Sequence, residues 1–125
     1  MELSSYRDLV IWQRAMELVL ATYALTAGFP KSELYGLTSQ LRRAAVSIPA
    51  SIAEGRGRSS RKDFANFLHI AKGSLMEFET LLEIALRLQY ASAEQVAGAQ
   101  ALASEVGKML NAMLTRLHNT QHASS

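Results

Sequence analysis

A chain of 125 residues with 49% hydrophobic residues can build one hydrophobic core but not two. The absence of cysteine rules out disulfides, thiolate zinc sites and cysteine nucleophiles, and it fits a reducing compartment. The net charge of +2 is unevenly spread: residues 1–41 carry three cations and four acids, residues 42–72 seven and two, and residues 73–125 three and five, an asymmetry that points to a polyanionic partner such as nucleic acid.

The amino terminus, "MELSSYRDLV", has an early acid and no basic stretch leading into an apolar run, so it does not read as a signal peptide. The longest apolar stretch, "LVLATYALTAGF", is too short to span a bilayer, and the expectation is a cytoplasmic protein. Apolar residues recur at helical spacing throughout, and no segment alternates with the period of a half-buried strand, so the predicted class is all-α in a single domain over residues 1–125.

Helix one is predicted over 6–28, opened by the Ser5 and Asp8 capping pair. Its stripe of Leu9, Trp12, Met16, Val19 and Tyr23 is expected to face the core. A second stripe, Ile11, Ala15, Leu18 and Leu25, widens the apolar arc and suggests self-association. Helix two, over 32–55, carries Leu34, Leu37, Leu41, Ala44, Ile48 and Ile52 on one face, and the phase continues through Pro49. Proline denies the carbonyl of Ala45 its donor, so a kinked helix is predicted, with Gly55 and Gly57 ending it.

Helix three, over 60–90, opens at the Ser60 and Asp63 pair and buries Phe64, Phe67, Ala71, Leu75, Phe78, Leu82 and Ala85. Gly73 in its middle suggests that a neighbouring backbone passes close. Ser92 and Gln95 open helix four, over 92–118, whose Val96, Ala99, Ala103, Val106, Leu110, Met113 and Leu117 follow a three-four spacing. Residues 119–125 read as a disordered tail. Short connections between long helices imply an antiparallel up-down-up-down four-helix bundle.

Little in the sequence reads as chemistry. There is no Glu-x-x-His pair for a di-metal centre, no phosphate loop in a strand-to-helix context, and no cofactor is expected. His118 and His122 have a helical metal-pair spacing but no acidic third ligand, and His69 reads as a half-buried structural histidine. Ribonucleases of the HEPN type pair an arginine with a histidine at a shorter spacing than that of Arg61 and His69. Eight positions leave the two side chains about 80° apart around a helix.

The basic corner stands out. Arg56 and Arg58 follow helix two, where cations complement the dipole, but Arg61 and Lys62 fall in the first turn of helix three, where it disfavours them. A helix start with free N–H groups beside Ser59 and Ser60 is a natural phosphate seat, and Arg42, Arg43 and Lys72 extend the basic band. Without aromatics in the loop, contact with the phosphate backbone is the expected mode. The expected nucleic-acid site is Arg42, Arg43, Arg56, Arg58, Arg61 and Lys62.

"YRDLVIWQRAMEL", "FPKSELYGLTSQLRRAAVSIPASIAEGRGR" and "DFANFLHIAKGSLMEFETLLEIA" resemble, in order and spacing, the motifs of four-helix-bundle proteins encoded in intervening sequences of bacterial large-subunit ribosomal RNA genes. Ser51 stands where that family usually has asparagine. The resemblance implies a homo-pentameric ring around a central channel. It also implies kinship with the accessory variability determinant of diversity-generating retroelements, a basic protein that binds nucleic acid and a reverse transcriptase. The functional expectation is a non-enzymatic oligomer binding RNA or DNA. A scaffold docking a partner enzyme is the alternative, and HEPN-like ribonuclease activity comes third.

Overall fold

The computed structural model describes residues 5–124, with side chains to Asn119. Four α-helices, α1 (Val10–Thr26), α2 (Leu37–Arg56), α3 (Arg61–Arg87) and α4 (Ala93–Ser124), are preceded or joined by short 3-10 turns at Tyr6–Asp8 and Lys31–Glu33. No strand occurs among the described residues. α1 and α3 each pack against both α2 and α4, so the four helices enclose a common core. Its fully buried members include Leu18, Leu41, Ile48, Ile52, Leu68, Phe78, Val96, Val106 and Leu110.

The Ser5 and Asp8 capping pair forms, but it caps a 3-10 turn. Ser5 N–H donates to Asp8 Oδ2 at 3.2 Å, Ser5 Oγ accepts from Arg7 N–H at 3.0 Å, and an extended Leu9 separates the turn from α1. On α1 the expected faces exchange roles. Ile11, Ala15 and Leu18 are buried with Thr22 and Thr26, whereas Leu9, Trp12 and Val19 are half-buried and Tyr23 is exposed. Both stripes are apolar, so periodicity alone does not rank them. The choice is made by α2 and α4, which pack on α1, and the core admits Thr22 and Thr26 on that face because their hydroxyls donate back to the carbonyls of Leu18 and Thr22, each at 2.7 Å.

α2 begins at Leu37 rather than near residue 32, because Pro30 leads into the Lys31–Glu33 turn. The cap comes from that turn: a Glu33 carboxylate oxygen accepts from Leu37 N–H at 3.0 Å. Leu34, expected in the core, is thereby left exposed. α2 runs through the buried Pro49 and through Gly55, so Gly55 does not stop the helix. Its role is close packing: a β-carbon there would lie 2.6 Å from Phe67 Cβ and 3.3 Å from the Phe64 carbonyl oxygen.

Gly73 reverses its expectation too, for a β-carbon at that exposed position would meet nothing within 4 Å. Leu68 and Leu81 are buried on α3, while Phe64 and Phe67 are half-buried at its amino-terminal end. α3 closes through Gln89 at φ 62, with Tyr90 N–H donating to the Ala85 carbonyl at 3.0 Å and Gln89 N–H to that of Leu86 at 3.0 Å. α4 opens on the expected reciprocal cap, with Ser92 N–H to Gln95 Oε1 at 2.8 Å and Gln95 N–H to Ser92 Oγ at 3.2 Å. It continues to Ser124. None of the helices searched is long and apolar enough to cross a membrane.

Candidate nucleic-acid interface

The break between α2 and α3 gathers Arg56, Arg58, Arg61 and Lys62 at one corner. Ser60 caps α3, its Oγ accepting from Asp63 N–H at 3.1 Å, which leaves the N–H groups of Arg61 and Lys62 pointing out of the helix end. Both side chains are exposed, and neither forms an ion pair among the described residues. The dipole at this end works against them, and Asp63 in the same turn is the residue that suits it.

The other cations are more constrained. The Arg58 guanidinium donates to Glu54 Oε2 at 3.1 Å and covers the Phe67 ring at 4.8 Å, so part of its charge is spent inside the chain. Arg56 is half-buried in the last turn of α2. Arg42 and Arg43 stand apart from this corner, Arg42 being roughly 20 Å from Arg56 along α2 at a rise of about 1.5 Å per residue. Arg42 Nε donates to the Thr26 hydroxyl at 2.8 Å, and its guanidinium lies 4.5 Å from the centre of the Tyr23 ring. Arg43 is exposed beside the Tyr35, Leu34 and Val46 side chains. The six expected residues thus form two groups, and Tyr23 and Tyr35 enter only through the packing of α1 and the 31–36 turn on α2.

An apolar cleft of about 550 Å³ opens where the start of α1, the start of α3 and the second half of α4 meet, lined by Leu9, Val10, Phe64, Met109, Met113 and Leu117. Arg116 is the charged residue on its wall. No motif announced this cleft, because its residues come from three helices.

His69 is exposed rather than half-buried, and it shares a groove with Lys72 and His118. The side chain of His122 lies outside the described residues. Among those described, no group of three His, Cys, Asp or Glu side chains is placed to hold a metal ion. Away from the corner, Glu33 receives hydrogen bonds from Leu37 N–H and from the Tyr90 hydroxyl, the latter at 2.8 Å. These bonds hold its carboxyl below the usual range, and the bond to Glu33 pushes the Tyr90 phenol up.

In the crystal structure of a protein of unknown function from the S23 ribosomal protein family of Bacteroides thetaiotaomicron, the same fold recurs with a TM-score of 0.75 and 26% identity, covering 83% of this chain and 97% of that one. No curated protein matches the chain. The pattern that describes the 23S rRNA-intervening sequence proteins matches residues 7–112, a span that takes in α1, α2, α3, the basic corner and most of α4. On that match, the chain belongs to the 23S rRNA-intervening sequence protein family.

Proposed function

We propose that this protein is a non-enzymatic, homo-oligomeric bundle of the cytoplasm that binds nucleic acid through backbone phosphates at the corner formed by Arg56, Arg58, Arg61 and Lys62. The observation that carries the reading is the pair Arg61 and Lys62, exposed and without an ion pair among the described residues, in a helix turn whose dipole disfavours them. Helix stability does not account for two cations there. An anion bound at the outward N–H groups does.

The bundle is read as antiparallel, up-down-up-down, with α2 kinked at Pro49. Contacts whose numbers run in opposite directions along α2 and α3 support this: Ser47 with Ser74, and Gly55 with Phe67. Five copies closing into a ring would present five basic corners to one polyanion, and a weak single site would then suffice.

Fluorescence anisotropy with labelled RNA and DNA across a salt series tests the reading. Log affinity should fall steeply with log salt, and alanine at the four cations should reduce that slope by about two to four. A slope near zero, or unchanged binding by the quadruple variant, overturns it. The alternative of a scaffold docking a partner enzyme is favoured by the Arg58–Glu54 pair, which lowers the charge left for phosphate, and by the apolar cleft beside the corner. On that alternative, purification from the native host brings down a stoichiometric protein and no nucleic acid. HEPN-like ribonuclease activity remains the third reading.

A further inference from the structure

Folding leaves two solvent-facing patches that are apolar at the centre and opposite in charge at the edge. The first lies on α1, α2 and the turn before it: Tyr23, Leu34, Tyr35 and Val46, with Arg42 and Arg43, and no carboxylate among its lining residues. Tyr35 is 94% exposed, and the bonds of Arg42 to Thr26 and Tyr23 hold that guanidinium in place before anything binds. The second lies on the outward face of α3, where a three-four spacing aligns Met76, Glu79, Thr80, Glu83, Ile84 and Arg87. Met76 is 60% exposed, and Arg87 is paired to Glu83 at 2.9 Å. Single exposed apolar residues are ordinary, but clusters rimmed by charge mark contact surfaces.

We infer that adjacent copies of this chain join head to tail, the Tyr35 patch of one copy seated on the Met76 patch of the next. The inference rests on the oligomeric reading above and assigns its contact faces. Charge decides the pairing. Two Tyr35 patches face to face would oppose Arg42 and Arg43 to their own copies, and two Met76 patches would oppose Glu79 and Glu83 to theirs. The unlike pairing brings Arg42 and Arg43 to Glu79 and Glu83 while burying Tyr35, Leu34, Met76 and Ile84, whereas two Met76 patches set four carboxylates against two Arg87 side chains, each already paired to its own Glu83. Because the contact joins two unlike patches, a row of copies keeps one open patch at each end, so the contact propagates until it closes on itself. Arg42 and Arg43 then serve assembly, and phosphate contact is left to the corner about 20 Å away.

Light scattering coupled to size exclusion tests this with two variants of the full chain, Tyr35→Asp with Arg43→Glu, and Met76→Asp with Glu79→Lys. All four side chains are exposed, so circular dichroism should match the unaltered chain. Where it does not, Tyr35→Ser and Met76→Ser take their places. The unaltered chain should be a closed oligomer and each variant alone a monomer. An equal mixture should give a dimer of one copy of each, since each variant lends its intact patch to the other. Either variant keeping the full oligomer mass, or a mixture without dimers, overturns the pairing while leaving the oligomeric reading standing. A monomeric unaltered chain overturns both.

Discussion

Gly55 and Gly73 are both helical glycines, and packing gives them opposite consequences. At Gly55 a methyl group would press on Phe67 Cβ at 2.6 Å and on the α3 backbone at 3.3 Å, neither of which is the free end of a flexible side chain. Gly55→Ala is expected to destabilise the fold by about 1–3 kcal/mol through overpacking. Gly73→Ala meets open space and should stabilise by about 0.5–1 kcal/mol, the helical propensity difference. Urea unfolding midpoints moving in opposite directions would confirm the contrast, and a shared direction would refute it. Gln89 is a third backbone position, a non-glycine at φ 62 that closes α3 where glycine is the common occupant. Gln89→Gly removes the left-handed strain and should raise stability by about 0.5–1 kcal/mol, read from the same unfolding curves. None of these roles is written in residue identity. A glycine in a helical pattern signals either close approach or none, and only the neighbouring helix distinguishes them.

At the scale of elements, the start of α2 is held by a residue outside it. Glu33 accepts from Leu37 N–H and from the Tyr90 hydroxyl, so one carboxylate caps α2 and ties it to the corner between α3 and α4. Its pKa is lowered on folding, so its contribution is present above the ordinary carboxylate range and lost as pH falls through the folded value. Tyr90 has the opposite sign: its pKa is raised, so its contribution is present below the ordinary phenol range and lost as pH rises through the folded value. Glu33→Gln should therefore flatten the fall of the thermal midpoint between about pH 7 and about pH 3, while lowering stability near neutrality. Parallel acid limbs for the two proteins would show that the clamp carries no linkage. Local signals placed the Ser60 and Ser92 caps because those bonds span three residues. The cap on α2 escaped them because glutamate four residues ahead has no local signature, and its second bond crosses 57 positions.

At the scale of the molecule, the four helices, their order and most of α2, α3 and α4's buried faces were legible, because a 3.6-residue period and capping pairs are properties of short windows. The face of α1 was not. Its two stripes are both apolar, and the one that faces the core is set by where α2 and α4 pack on α1. The candidate site divides the same way. Arg56, Arg58, Arg61 and Lys62 are neighbours in the chain, so their clustering could be read from it. Arg42 and Arg43 are also close in sequence, and only the extension of α2 sets them apart and beside Tyr23 and Tyr35. Composition and periodicity by themselves determined an all-α chain with its charge concentrated in one segment, since both are sums over local residues. Which glycine is packed, which stripe of α1 is buried, and which arginines share a surface were decided by tertiary structure alone, because each depends on a neighbour distant in sequence.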